Sequence, residues 1–163
     1  MGGNTLEEGW AYRRALGCFA TGVCLITVAD GAGPAAITVN SFTSVSLEPR
    51  LILWCLDAGS DRYRLFAEAE AFGVNILNSD QQSVSARFAK PGASRIEPEW
   101  IEYWQGSPVL NQGLARLACR THNRVIMGDH LVIVGEVHRF DAEPGPGLTY
   151  FRGRYGEALE PAA

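Results

Sequence analysis

The stretch from 114 to 140, LARLACRTHNRVIMGDHLVIVGEVHRF, reads as two long strands folded back on each other. Residues 114–121 and 130–140 are rich in aliphatic and β-branched side chains, and Asn123 and Gly128-Asp129 between them supply turn chemistry. Outward from this pair the chain is mostly short strands. Residues 72–77 and 51–56 are apolar, the second run following a Glu48-Pro49 stop. Residues 23–29 and 35–42 flank the turn cluster Asp30-Gly31-Ala32-Gly33-Pro34 and read as a hairpin. Helices are few. Thr5-Leu6-Glu7-Glu8 has the capping-box pattern, and Leu6, Trp10, Arg13 and Leu16 follow at helical spacing, with Gly17 or Gly22 as the stop. Residues 63–69 suggest a short helix, and Ser79-Asp80-Gln81-Gln82 is a second capping box opening a helix to about Phe88. Residues 90–107 look irregular, with Pro91, Pro98, Trp100, Tyr103 and Trp104, and the last segment, 150–155, is aromatic and basic. Antiparallel neighbours that must cover both edges tend to close on themselves. The expectation is a mainly β chain, a small antiparallel barrel carrying two or three helices.

A length of 163 residues suits one domain with one main core, and 47% hydrophobic with 20% charged residues is ordinary globular composition. Frayed ends are expected at Gly2-Gly3 and Glu160-Pro161-Ala162-Ala163. The formal net charge is -4 and Lys90 is the sole lysine. Gripping phosphate backbones needs clustered cations, so nucleic acid and anionic membrane surfaces are poor partners. No apolar run suits a signal peptide or a membrane span, which points to a cytoplasmic protein. Cys18, Cys24, Cys55 and Cys119 form no C-x-x-C pair and each lies in an apolar stretch, so four buried, reduced thiols are expected. Three histidines in one region offer no zinc pattern, and no metal is expected.

No Walker loop, no G-x-G-x-x-G after a strand and no G-x-S-x-G elbow is present. Three weaker signals remain. Thr38, Asn40, Ser41, Thr43, Ser44 and Ser46 could line a polar ligand, although a solvated sheet face explains them as well on composition. Gly59 and Ser60, just before a short helix, could hold a phosphate through free N–H groups, although a plain N-cap at Ser60 is the simpler account. Gly128-Asp129-His130 could set an imidazole at a barrel mouth, and a surface turn is the bland equivalent.

Taken in order, these segments are more specific than any one of them. FATGV at 19–23, TVNSFTSVSLEP at 38–49, FGVNIL at 72–77, RFA at 87–89, and GDH at 128–130 followed by VGEV at 134–137 resemble the flavin reductase family. These are the FMN-binding split β-barrel reductases that partner two-component flavin monooxygenases. The likeness covers roughly residues 12–156. It implies a Greek-key-like antiparallel split barrel that binds FMN or FAD and takes a hydride from NADH or NADPH. It further implies that Thr38, Val39, Asn40, Ser41 and Phe42 lie along the flavin, and that Ser46 belongs to the same polar run. Leu56, Asp57 and Ser60 would continue toward the flavin phosphate, and Arg87 and Phe88 would add flavin contacts. His130 would line the nicotinamide side, and Tyr150, Phe151, Arg152 and Arg154 would close over the nicotinamide nucleotide. Val39 stands where many members have alanine, and Asp61 brings a carboxylate beside the expected phosphate.

The chemistry so implied needs little from the protein beyond orientation and water exclusion. The reduced flavin would leave for a separate monooxygenase component. An apolar sheet face and the segment 100–104 would be covered in a homodimer. Three rivals stay open at this point. They are a non-catalytic flavin- or haem-binding split barrel that senses redox state, an oxidase of the pyridoxamine-phosphate type, and a plain interaction domain using 100–104.

Overall fold

The computed structural model describes residues 5–161. The expected Thr5 cap and the ends at 2–3 and 162–163 fall outside what it describes. Helix α1 (Thr5–Leu16) leads into strands β1 (Thr21–Gly22), β2 (Cys24–Asp30), β3 (Gly33–Val39), β4 (Thr43–Leu47) and β5 (Arg50–Asp57). Then come α2 (Tyr63–Ala67), β6 (Ala71–Ile76), α3 (Gln82–Phe88), β7 (Ile101–Trp104) and β8 (Ser107–Leu110). The long strands β9 (Ala115–Met127) and β10 (His130–Ala142) are followed by β11 (Gly147–Phe151) and β12 (Arg154–Ala158).

Seven strands form one antiparallel sheet in the order β3-β2-β6-β9-β10-β5-β4. Laid flat, its edge strands would stand roughly 29 Å apart, six spacings of about 4.8 Å. Yet β3 ends at Val39 and β4 begins at Thr43. Four peptide steps reach at most about 14 Å. The sheet therefore curls until its edges meet, and Asn40, Ser41 and Phe42 lie across the seam. This is the mainly β antiparallel barrel that the strand pattern predicts.

Strand β2 shows why the barrel holds. Its side chains alternate between two apolar layers. Cys24, Ile26 and Val28 point into the barrel with Trp54, Phe72 and Ile133, while Leu25, with Val23 just before the strand, joins Phe88, Ile96, Leu110 and Leu148 on the outer side. Trp54 meets Phe66 and Phe72 edge-on at 6.2 and 6.1 Å between centroids. The outer layer brings in α3 and the β11–β12 hairpin.

Several local expectations differ. Residues 101–107, within the segment expected to be irregular, form the β7–β8 hairpin together with 108–110. It is fastened by buried polar groups that a sequence pattern cannot pair: Thr27 Oγ1 donates to the Pro108 carbonyl (2.6 Å) and Leu110 N–H donates to Asn75 Oδ1 (2.7 Å). Asn123 is not a linker, because β9 runs through it to a tight turn at Gly128-Asp129. Residues 43–47 are a strand of their own, paired with β5 around the Glu48-Pro49 turn. The second capping box sits one residue earlier than expected, with Asn78 N–H donating to Gln81 Oε1 at 3.0 Å. Of the four thiols, only Cys24 and Cys119 are buried; Cys18 is exposed after α1 and Cys55 is half-buried, and all four are free.

Candidate functional site

The seam of the barrel opens into two adjoining hollows that share Asn40. One, of about 210 Å³, is walled by Val23, Thr38, Val39, Ala89, Tyr150 and Tyr155. The other, of about 550 Å³, is walled by Phe19, Thr21, Gly22, Ser41, Phe42 and Ile76 among others. The segments 19–23 and 38–42 thus meet as neighbours, and Tyr150 reaches them because β1 pairs with β11, Thr21 opposite Tyr150.

Most hydroxyls here are already engaged. Thr38 Oγ1 donates to the Ser85 carbonyl (2.7 Å), and Ser85 Oγ lies 2.8 Å from the Tyr155 hydroxyl. Tyr155 and Tyr150 pack edge-on at 5.3 Å. Ser41 Oγ accepts from Cys55 N–H (2.9 Å) and donates to the Cys55 carbonyl (3.2 Å), standing in for a strand where β3 gives way to β4. Asn40 is exposed, and among the described residues its side-chain amide makes no hydrogen bond. Thr21 Oγ1 is buried in the wall without a partner. Burial pushes the Cys24 thiol, also in this wall, up to about 12, so it stays protonated.

The remaining expected residues scatter, and several side chains lie away from the two hollows. Phe88 is fully buried in the outer apolar layer, and Leu56 is buried inside the barrel, so neither side chain faces a hollow. Arg87 is committed to Glu97 at 2.8 and 2.9 Å and lies over the Phe88 and Trp100 rings. Ser46 pairs with Leu51 near the β4–β5 turn, whereas Asp57 and His130 lie at the other end of β5. Five residues along a strand is about 16 Å, which separates Ser46 from Ser41.

The phosphate expected at 57–60 finds almost no free donors. Asp57 Oδ1 accepts Gly59 N–H (2.7 Å) and Ser60 Oγ accepts Arg62 N–H (3.2 Å). The N–H groups of Ala58, Ser60 and Tyr63 are bonded to the carbonyls of Asp129, Asp57 and Ser60. The turn caps itself, and α2 behind it is only five residues long. Asp61 turns to the side, with Oδ2 accepting Gly92 N–H at 2.6 Å.

His130 opens β10 directly opposite Asp57 and is partly exposed, one strand beyond the seam. Its Nδ1 lies 2.8 Å from Asp129 Oδ1. That hydrogen bond is the largest cause holding the Asp129 carboxyl below its ordinary value, with a smaller contribution from the Arg13 guanidinium. Helix α1 therefore stands near the Gly-Asp-His turn.

Arg152, expected to close over the nicotinamide nucleotide, sits at the tip of the β11–β12 hairpin, where it meets residues of α1 that sequence reading did not single out as site residues. Arg152 and Gly153 both lie in the left-handed region (φ 49 and 79), a two-residue turn suited to a hairpin. Arg152 N–H donates to the Gly17 carbonyl (2.8 Å), docking the turn on the end of α1. A third hollow of about 550 Å³ opens there between Trp10, Arg13, Arg14 and Arg152. Phe151 and Arg154 line a shallower one with Thr149 and Glu157. The Arg13-Arg14 pair in the last turn of a predicted helix was the available signal.

Comparison with known proteins places these segments in one context. Residues 16–159 match the family model described as the flavin reductase like domain. The FMN reductase (NADH) SmoA of Agrobacterium fabrum is 41% identical over 92% of this chain and 86% of its own length. The reductase component of the flavin-dependent trigonelline monooxygenase of Acinetobacter baylyi is 38% identical over 88% of the chain, which spans 47% of that protein. Among solved structures, the NADH:FAD oxidoreductase SgcE6 of Streptomyces globisporus C-1027, in complex with NAD and FAD fragments, superposes with a TM-score of 0.81 at 29% identity, covering 92% of each chain.

Proposed function

Because the chain belongs to the family of flavin reductase-like domains, we propose that it is an NAD(P)H-dependent flavin reductase that hands reduced flavin to a separate monooxygenase. The observation that carries this reading is the pair of hollows meeting at Asn40, walled by the segments 19–23 and 38–42. Their residues suit a flavin. Val39, Phe42 and Ile76 offer apolar surface to a flat ring, while among the described residues the Asn40 amide is free and Thr21 Oγ1 lacks a partner.

When both are bound, a reduced nicotinamide donates a hydride and the flavin accepts it. The residues of this chain hold the two rings in register and exclude water. The Tyr150–Tyr155 pair, braced through Ser85 to Thr38, forms the wall beyond the seam. Asn40 supplies hydrogen bonds to the polar edge of the ring. Steady-state assays pairing FMN or FAD with NADH or NADPH test the reading. Nucleotide oxidation should be slow without added flavin and rapid with it. Absence of flavin-dependent turnover with either nucleotide rejects it. Nothing in the comparisons favours a non-catalytic sensor.

His130 is proposed to orient the nicotinamide, held in place by Asp129. Replacing it removes one hydrogen bond, worth about 1–3 kcal/mol. His130→Ala should therefore slow hydride transfer or raise the nucleotide KM roughly ten- to a hundredfold, with flavin affinity nearly intact. Flavin titration beside stopped-flow reduction separates the two. Lost flavin binding with a normal reduction rate would assign His130 to the flavin instead.

The chain is proposed to act as a homodimer in the cytoplasm. Every side chain from 6 to 16 in α1 is exposed, and Tyr12, Leu16 and Phe19 form an apolar stripe at 67%, 55% and 78% exposure. A twelve-residue helix is marginal alone in water, so this face needs cover. Phe19 also walls the larger hollow, which would put the flavin beside the dimer interface. Light scattering at micromolar concentration should report twice the chain mass; monomer alone contradicts it.

A further inference from the structure

We propose that the hollow between the start of α3 and the segment just after β8 binds a small organic cation of the quaternary ammonium type. The proposal goes beyond the reductase reading and does not depend on it. The hollow holds about 370 Å³, within the usual range for small-molecule sites of about 300–1,000 Å³. Asp80, Trp100, Asn111 and Gln112 line it together with the apolar side chains of Val84 and Leu110, and no lysine, arginine or histidine belongs to the lining.

The chemistry of this lining is one-sided. Among the described residues, the Asp80 carboxylate takes part in no ion pair and accepts no hydrogen bond. The Asn111 side chain donates to the Glu99 carbonyl (3.0 Å), which leaves its Oδ1 open, and the Gln112 side-chain amide makes no hydrogen bond among the described residues. A negative charge and open acceptors thus stand beside a half-buried indole. A weakly hydrated ammonium ion is attracted to an indole face and to a carboxylate at once. A metal ion needs several oxygen ligands drawn close together, and among the described residues no group of three His, Cys, Asp or Glu side chains supplies them. An anion would meet Asp80 with no cation in the lining to offset it. Arg87 lies over the Trp100 ring at 5.8 Å, but it is outside the lining and its charge is met by Glu97 at 2.8 and 2.9 Å.

The walls are fixed before a ligand arrives. Asn111 N–H donates to the Trp100 carbonyl (2.8 Å), Gln81 Nε2 donates to the Gln112 carbonyl (3.4 Å), and Arg116 Nη1 donates to the Leu110 carbonyl (2.9 Å). A site built in advance loses little to ordering when it binds. Helix α3 stands between this hollow and the barrel seam. Val84 lines the hollow, whereas the Ser85 carbonyl holds Thr38 and Ala89 walls the flavin side. A cation bound here leaves the flavin hollows open.

Calorimetric titration with choline is the test, set against the dimethylbutanol in which carbon replaces the ammonium nitrogen. The wild-type protein should bind choline, and the uncharged alcohol at least about fivefold more weakly. Trp100→Leu should weaken choline about three- to tenfold. Asp80→Asn should weaken it about two- to fivefold at low salt and less at high salt, because Asp80 is exposed. Thermal melts check the fold, and the exposed Asp80 position keeps the test open if Trp100→Leu does not fold. Saturating FMN should leave choline binding unchanged. A wild-type protein that ignores choline up to about 50 mM overturns the proposal, as does equal binding of the alcohol. Unchanged affinity in either folded variant, or displacement of choline by FMN, overturns it as well. Failure of the reductase reading would show separately, in the assay with FMN and NADH, and leaves the choline titration unaffected.

Discussion

Gly73→Ala should destabilise the protein by about 3 kcal/mol or more and lower Tm by roughly 6–12 °C. Gly73 lies in the middle of β6, opposite Thr27 on one side and Ala118 on the other. A methyl group there would fall inside the Pro108 carbonyl oxygen and 2.5 Å from Thr27 Oγ1. Neither atom can step aside. Thr27 Oγ1 is bonded to that same carbonyl, and β8 is pinned again where Leu110 N–H meets Asn75. Asn75 in turn donates to Leu25 O and Thr27 Oγ1. Relief requires the β7–β8 hairpin to lift from the sheet, stranding these buried polar groups and uncovering Val109 and Ala118. Thermal melts read the effect. Gly31→Ala is the matched control, because nothing lies within 4 Å of a Cβ at that position. A Gly73→Ala variant melting with the control would contradict the packing described.

Arg62→Met should cost about 2–4 kcal/mol and weaken flavin binding with it. Arg62 is 9% exposed, and its Nη1 donates to the carbonyls of Phe88 (2.8 Å) and Ala93 (3.0 Å), with the Ala36 carbonyl more distant at 3.5 Å. Two protons on one nitrogen serve the two nearer acceptors well. Asp61 stands 3.4 Å from Nε, close enough for charge but without the alignment of a hydrogen bond. Methionine keeps much of the volume and removes every donor, so the Phe88 carbonyl at the end of α3 and the Ala93 carbonyl in the loop beyond it lose their partner. That end carries Ala89, a wall of the smaller hollow, and Ser85, which braces Thr38 and Tyr155. Urea unfolding and flavin titration should move together. An unchanged midpoint would show that α3 holds its place without the guanidinium.

The strand pair at 114–140 was legible because aliphatic and β-branched runs broken by Gly-Asp admit few other structures. The likeness at 38–49 singled out the segment that crosses the seam, although 40–42 read in sequence as the end of a strand that in fact stops at Val39. The β7–β8 and β11–β12 hairpins were not legible. Pro98, Pro108, Gly147 and Gly153 read locally as loop, and the polar partners that hold β8, a donor on Thr27 and an acceptor on Asn75, lie more than thirty residues away. Gly59-Ser60 looked open to a phosphate because the sequence does not reveal that Asp57 takes both N–H groups, Gly59's on Oδ1 and Ser60's on its carbonyl, while Ser60 Oγ is spent on Arg62 N–H. Arg13 and Arg14 carried no site reading because Arg152, 138 residues beyond Arg14, arrives beside them only when β11 pairs with β1.

Local pattern alone was enough for the kinds of element, most of their order, the closure into an antiparallel barrel and the family likeness. Periodicity of side chains follows from backbone geometry, and that is written into every short window of sequence. Which polar groups remain free was settled only by the folded chain. Thr38, Ser41, Asp57 and Ser60 look equivalent to Asn40 as ligand-binding residues, yet each spends its side-chain oxygen within the protein while the Asn40 amide stays open. Hydrogen-bond partners are chosen by distance in space, and barrel closure fixes those distances after local structure has formed.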